Sequence, residues 1–274
     1  MTAPSHRPEA SPWPDTTHLL ADVHLTGDDT PAARRLAGYL AGPAREAAAV
    51  YILGDLFDVW VGDDVSFEAH QGTLDALAAL SAARVPLYFQ RGNRDFAVGT
   101  RFFAHTGARP LADPVVHRIA GQPVLLAHGD IFCSDDLAHQ KFRRRYTNAI
   151  WRARMLRMPA GLRRMIARKA RARSQASKQR KAADIMDVNI DTVTRWAQDT
   201  ETFRIVHGHV HKPADHRHAN VHRHVLADWR PDQAEILTLS RSTIRRRALD
   251  DDGRFLDESG RENDSSDSSA NERE

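Results

Sequence analysis

Cysteine is nearly absent: Cys133 is the single one in 274 residues. An internal disulfide is therefore excluded, as is a metal site built from several thiolates. Long apolar runs are missing too. One of the longest, residues 47–53, falls far short of the roughly 20 residues that cross a bilayer, and no apolar stretch follows the N-terminus. A cytoplasmic chain with no membrane span is the expectation. Acidic residues are missing where basic ones are densest: Lys141 to Lys181 hold sixteen Lys and Arg and no Asp or Glu, in a chain whose net charge is +3. The remainder must then be net acidic. Solvated helix faces usually mix signs in i,i+4 pairs, and this run offers no acids for pairing, so it points to an anionic partner.

What is present reads as one α/β body with an insertion. Residues 1–14 carry four prolines and no periodicity, and a disordered leader is expected over 1–16; a disordered, Ser-rich acidic tail is expected over 250–274. Five short apolar runs each stop at a polar cluster: 18–21 before Asp22, 50–53 before Gly54-Asp55, 86–89 before Gly92-Asn93, 124–127 before His128-Gly129-Asp130, and 203–206 before His207-Gly208-His209. Buried strands that deliver side chains to one rim of a sheet make this pattern, and ligands of open α/β sheets gather beyond strand carboxyl ends. Helical spacing fills residues 31–48 and 67–83. Core is expected over 17–136 and again over 184–249, with a helix near 185–198. Between them, residues 137–183 read as a basic helical cap in which Phe142, Tyr146 and Ile150 share one face.

The clusters have the chemistry of a metal site. Asp22-Val23-His24 sets two donors on one side of an extended strand end, and His209-Val210-His211 repeats that with two imidazoles. Asp55, Asn93 and His128 add one donor each. Seven donors exceed the need of one ion and suit two ions bridged by a carboxylate, with Asp55 as the expected bridge. Oxygen and imidazole without thiolate favour Mn²⁺, Fe or Zn²⁺. Any one of these motifs alone would more often be a turn, a strand end or an exposed pair; the ordered set of five carries the reading.

The set resembles the calcineurin-like metallophosphoesterases, whose D-x-H, G-D-x-x-D, G-N-H-[DE], G-H and G-H-x-H motifs appear as Asp22-Val23-His24, Gly54-Asp55-Leu56-Phe57-Asp58, Gly92-Asn93-Arg94-Asp95, His128-Gly129-Asp130 and Gly208-His209-Val210-His211. The resemblance implies a sandwich of two mixed β-sheets flanked by helices. It places Asp22, His24, Asp55 and His211 on one ion and Asp55, Asn93, His128 and His209 on the other. Arg94 stands where most of the superfamily has a His that protonates the leaving group. Arginine cannot be that acid, but it can stabilise charge on a phosphoryl group, so a substrate with a good leaving group is favoured.

The Arg variant, with Tyr51-Ile52-Leu53-Gly54-Asp55-Leu56-Phe57, Trp60-Val61-Gly62-Asp63-Asp64, Asp135-Asp136, Ile185-Met186-Asp187-Val188-Asn189 and His207-Gly208-His209-Val210-His211-Lys212-Pro213, is similar to the UDP-2,3-diacylglucosamine pyrophosphohydrolases of lipid A synthesis. That likeness implies hydrolysis of UDP-2,3-diacylglucosamine, with metal-activated water attacking the α-phosphorus, to UMP and 2,3-diacylglucosamine 1-phosphate (lipid X). It implies two Mn²⁺ ions, catalytic roles for Asn93, Arg94 and His209, and substrate contacts at Asn93, Arg94, Asp136, Ser174, Lys178, Lys181 and His209; Lys178 falls where Asn is usual.

On this reading the apolar cap faces hold acyl chains, the alternative being that Phe142, Tyr146 and Ile150 pack the cap onto the core, and its Arg and Lys, among them Arg163, Arg164 and Arg168, meet the diphosphate and an anionic inner-membrane surface. Peripheral association with the cytoplasmic face of a Gram-negative inner membrane follows as an expectation, at about 1 kcal/mol per cation near the surface. A monomer is expected, and nucleic acid is not an expected partner. Two alternatives stay open: a two-metal enzyme acting on other nucleotides or nucleic acid, and a non-enzymatic basic adaptor for anionic membranes or RNA. Few aromatics for base stacking lie in the insertion, which weighs against nucleic acid, and an inert scaffold should have lost ligands. The second His-rich stretch, His216 to His224, reads as exposed strand or loop, and Cys133 as a small packed residue.

Overall fold

The computed structural model describes residues 16–180 and 187–256. Two mixed sheets pack face to face. In chain order the elements are β1 (Thr17–Leu20), α1 (Pro31–Ala41), β2 (Ala49–Leu53), α2 (Asp63–Ser66), α3 (Gln71–Ala82), β3 (Leu87–Gln90), α4 (Thr100–Thr106), β4 (Arg109–Leu111), β5 (Val115–Ile119) and β6 (Gln122–Ala127). There follow α5 (Leu137–Tyr146), α6 (Ala149–Leu156), α7 (Ala160–Arg180), α8 (Ile190–Asp199), β7 (Arg204–His207), β8 (Ala214–His218), β9 (Val221–Val225), β10 (Glu235–Leu239) and β11 (Ile244–Ala248). The first sheet runs β11-β10-β1-β2-β3-β4 and the second β5-β6-β7-β9-β8. β1, β2 and β3 are parallel neighbours, as are β6 and β7, so their carboxyl ends share a rim.

Alternation along the strands builds three apolar layers, because successive side chains point to opposite faces. In the first sheet Leu20, Ile52 and Phe89 face outward onto Leu36, Leu40, Leu74, Leu77 and Phe102 of α1, α3 and α4. Leu19, Tyr51 and Leu53 face inward and meet Val124, Leu126 and Val206 of the second sheet. On that sheet's far side, Leu125, Ala127 and Ile205 pack against Val193 and Ala197 of α8.

Several boundaries differ from expectation. The helix expected to reach residue 48 stops at Ala41, where Gly42-Pro43 turns the chain into a short 3₁₀ segment. The helix expected near 185–198 begins at Ile190, because the Asn189 side chain accepts from the Thr192 N–H at 3.0 Å and caps it. In the cap, Phe142 and Ile150 do not share one helix face. Asn148 starts a new helix by accepting from the Trp151 N–H at 2.9 Å, and Ile150 is exposed while Tyr146 is buried.

The tail also starts later than Asp250, since residues 250–256 fold back onto α1. Arg35, itself buried, donates to the carbonyls of Asp250, Arg230 and Pro231 at 3.0, 3.1 and 3.0 Å and pairs with Asp251. Phe255 sits edge-on to His18 with ring centroids 5.6 Å apart. Composition hid this strap because it depends on a glycine turn at Gly253, φ +76°, and a single aromatic. The leader lies outside the described residues except for residue 16, as do Lys181, Ile185, Met186 and everything beyond 256. No helix among the described residues is long and apolar enough to cross a membrane.

Candidate metal centre

All seven expected donors meet at the shared rim, four from the first sheet and three from the second. Asp22 and His24 follow β1, Asp55 follows β2, Asn93 follows β3, His128 follows β6, and His209 and His211 follow β7. Contacts run through the whole set. His24 Nε2 faces His211 Nε2 at 3.1 Å, and both face Asp22 Oδ1, at 3.9 and 3.5 Å. His128 Nε2 lies 3.1 Å from Asn93 Oδ1 and 3.6 Å from Asp55 Oδ1, and the His209 ring stands 5.0 Å from the His128 ring.

The local cause is not the strand alternation expected for Asp-x-His and His-x-His. The regular strands end before these residues, and Asp22, His24, Asp55, His209 and His211 all sit in the left-handed region, with φ of 54°, 55°, 52°, 73° and 54°. They are five of the nine non-glycine residues with positive φ among the described residues. Such backbone costs of order 1–3 kcal/mol per residue and persists only where the surroundings impose it. One consequence is that His209 and His211 separate, His209 toward His128 and His211 toward His24, instead of gripping one point.

Glycines permit the crowding. A Cβ on Gly54, itself at φ +87°, would lie 2.6 Å from the Gly92 backbone, and a Cβ on Gly208 would collide with Asp22 Oδ2. Hydrogen bonds then lock the loops. Asp95 accepts from the Gly92 and Leu56 N–H groups at 2.7 and 2.8 Å, and Asp22 Oδ2 accepts from the His209 N–H at 2.7 Å. The His207 Nδ1–H donates to the Gly208 carbonyl at 2.8 Å, leaving Nε2 to accept from Arg223 at 3.1 Å.

The electrostatics fit a cation. His128 Nδ1 donates to the Leu53 carbonyl at 3.0 Å, the second bond that fixes a ligating imidazole with its other nitrogen free. Burial opposes a charge on His128, yet the carboxylates of Asp55, Asp130, Asp22 and Asp113 outweigh it and raise its pKa to about 9. Burial pushes Asp55 up to about 7, His128 offsetting part of the effect. Burial also raises Asp22, but the neighbouring imidazoles, His211 first and then His128 and His24, hold it below the usual carboxylate range. Burial drives His24 down to about 3 and His209 well below the ordinary value.

Asp22 Oδ1 is fully enclosed and has no hydrogen-bond partner. A buried carboxylate oxygen left this way is costly unless a cation meets it. Two groups of donor atoms lie within 4.8 Å of one another, Asp22-His24-His211 and Asp22-Asp55-His128. Asp22 belongs to both groups, and Asp55, the expected bridge, joins it and His128 in the second. With oxygen and imidazole donors only, the residues fit divalent cations.

Arg94 reaches the rim. Its N–H donates to Asp55 Oδ1 at 2.8 Å, and its guanidinium lies 3.8 Å from Asp58, which also pairs with Arg171 of α7. Asp136 caps α5 through the His139 N–H at 3.0 Å and is largely buried. Ser174 and Lys178 fall on α7, and Lys181 lies outside the described residues. Sequence reasoning gave no role beside the centre to Asp113, His139, Arg143 or Asp228, and read Tyr146 only as part of an apolar cap face. Asp228 stands 3.5 Å from His211 Nδ1. None sits in a recognisable motif; only the basic run contained Arg143, and it disguised a buried residue as a surface one.

Residues 16–213 match the family model described as calcineurin-like phosphoesterase. Among curated proteins the chain is similar to the UDP-2,3-diacylglucosamine hydrolase of Chromobacterium violaceum, 43% identical over 230 residues that cover 83% of this chain and 96% of the relative. That of Aromatoleum aromaticum is 40% identical over 78% of this chain and 89% of the relative. That of Pasteurella multocida is 42% identical over 82% and 94%. With the donor set intact, and with identity of this order across nearly the whole of each relative, the chain belongs to the UDP-2,3-diacylglucosamine hydrolase family of the calcineurin-like phosphoesterases.

Proposed function

We propose that the protein hydrolyses the pyrophosphate bond of UDP-2,3-diacylglucosamine, giving UMP and 2,3-diacylglucosamine 1-phosphate in lipid A synthesis. The observation that carries this reading is the convergence of all seven donors beside Arg94, in a chain whose relatives bear that substrate in their names. Asp22, His24, Asp55 and His211 would hold one ion and Asp55, Asn93, His128 and His209 the other, with Mn²⁺ as the proposed metal. Two divalent cations bound there supply charge for the phosphoryl oxygens and acidify water.

The protein's own contribution is placement and charge. Arg94 lies 3.8 Å from Asp58 and near enough to His24 to disfavour a charge on it, and its guanidinium would stabilise negative charge on a transferring phosphoryl group while giving up no proton. With attack at the α-phosphorus the leaving group is the sugar 1-phosphate, which departs without needing one, and this favours a pyrophosphate over an alkyl ester. Asn93 and His209 border the same space, and we assign them to substrate as well as metal. Ser174, Lys178 and Lys181 of the cap, with Asp136, complete the proposed contacts. α7 exposes Leu162, Met165 and Ile166 beside exposed Arg164, Arg168 and Lys169, a surface suited to acyl chains and an anionic leaflet, so peripheral binding at the cytoplasmic face of the inner membrane belongs to this reading.

The test is turnover with Mn²⁺ on UDP-diacylglucosamine, on unacylated UDP-glucosamine and on model phosphodiesters, in water enriched in heavy oxygen. Preference for the acylated substrate with label in UMP is expected. Label in the sugar phosphate would overturn attack at the α-phosphorus, and preference for the unacylated compound would overturn the lipid assignment.

A further inference from the structure

Behind the metal centre lies a buried charge cluster that the reaction does not use. Two carboxylates there, Asp113 and Asp130, come from segments flanking β5 and β6, and the groups that meet them come from α5, the first helix of the cap. Asp113 Oδ1 accepts from the backbone N–H of His128 at 2.8 Å. Arg143 reaches the other oxygen of Asp113 at 2.8 Å and donates to the Asp113 carbonyl at 3.2 Å. The same guanidinium donates to Asp130 Oδ1 at 3.2 Å.

Asp130 Oδ2 takes the hydroxyl of Tyr146 and lies 3.0 Å from His139 Nε2. The His139 ring in turn stands 5.0 Å from that of His209. Gln140 adds bonds to the Asp130 and Cys133 carbonyls at 2.6 and 3.0 Å. Asp130, Arg143 and Tyr146 are all within a few per cent of complete burial.

We propose that Arg143 is a positioning residue for the His128–His209 half of the metal centre, acting through Asp113 on His128 and through Asp130 and His139 on His209. The reasoning is electrostatic and geometric. Two buried carboxylates on one guanidinium form a unit that stands only as a whole, since removing the shared cation leaves both charges uncompensated in low dielectric. Their free oxygens would then turn to other donors, and the nearest fixed ones are the His128 N–H and His139. Partners of this kind, one step behind the ligands, typically change metal affinity 10–100-fold when lost. Among the described residues Arg143 bonds to none of Asp22, His24 and His211, so the effect falls first on the ion that His128 and His209 would hold. Docking of α5 and assembly of half the metal centre are then a single event, and the cap cannot swing away from this end without disturbing a ligand pair.

This inference rests on the two-ion reading, and the experiment separates the two. The metal-free full-length protein is titrated with Co²⁺ and followed by its visible absorption bands. If the wild type does not take up two equivalents, the two-ion reading fails. Given two equivalents, Arg143→Met is expected to weaken one by about 10-fold or more and leave the other near its wild-type affinity. Arg143→Lys, which keeps the charge but not the fork of donors, is expected to fall between them. The control is Arg163→Met, which removes another buried cap arginine, paired with Asp64 and bonded to the Val61 and Met158 carbonyls, away from the centre. It should lower the melting temperature and spare both ions. Wild-type affinity for both ions in Arg143→Met, or equal weakening of both in Arg143→Met and Arg163→Met alike, would overturn the assignment. Should Arg143→Met not fold, Tyr146→Phe removes one bond to Asp130 at constant shape. A selective several-fold loss at one ion then supports the proposal, and unchanged binding overturns it.

Discussion

Single residues set the donor geometry, and their replacement should be read against two outcomes, lost chemistry and lost fold. His24→Ala removes an imidazole whose Nε2 faces His211 and Asp22. Turnover should fall to background while the far-ultraviolet circular dichroism stays native; residual activity above a few per cent would remove His24 from the metal set. Gly208→Ala is different. Its Cβ would meet Asp22 Oδ2 and the Ala21 side chain, so overpacking of typically 1–3 kcal/mol is expected together with lost metal binding, measurable as a lower denaturant midpoint.

Histidines outside the centre govern acid sensitivity. Burial lowers His18 to about 4, with Arg247 adding to the effect, and burial lowers His70 to about 4. Between the ordinary value near 6.5 and the folded value near 4, the unfolded chain binds the extra protons. Stability is therefore complete above about pH 6.5 and falls as the pH drops through that window, by up to about 3 kcal/mol for each. Denaturant melts at pH 7 and 4.5 should show the loss, and His18→Gln should show a smaller one; an equal slope would exonerate His18.

At the scale of elements, much was legible. The five strand-then-cluster units are there because a short apolar run ending in Gly, Asp, Asn or His has both a burial signal and a stop signal. Their donors could be named from Asp22 to His211. How they converge was not legible, since left-handed backbone at non-glycine residues leaves no mark on hydrophobic pattern.

The cap was legible as helical and basic, but charge density could not separate its two buried arginines from the exposed ones. Arg163 was expected to meet a membrane; it is buried against Asp64 and the Val61 carbonyl instead. The exposed group on α7 is Leu162, Met165 and Ile166 with Arg164, Arg168 and Lys169. Arg164→Gln, Arg168→Gln and Lys169→Gln together should weaken sedimentation with vesicles containing anionic lipid by about 1 kcal/mol per charge near the surface, and less at high salt. Binding that is indifferent to all three would take this face off the membrane.

For the whole molecule, the strap at residues 250–256 matters more than its composition suggests. Truncation after Leu249 removes two partners of Arg35, the Asp250 carbonyl and the Asp251 carboxylate, and the Phe255 contact with His18, leaving a buried guanidinium short of acceptors. A loss of about 2–4 kcal/mol is expected in equilibrium unfolding. Truncation after Leu256, which keeps those contacts, should cost far less; equal melts for the two would remove the strap from the stability of the fold.

The donors are divided between the sheets: β1, β2 and β3 bring Asp22, His24, Asp55 and Asn93, and β6 and β7 bring His128, His209 and His211. Cations seated among them would act as rivets through the seam of the sandwich, fastening its layers from the edge. Chelation should then register as a drop in the global melting temperature, with both layers loosening together, and each added increment of Mn²⁺ should raise that temperature by mass action.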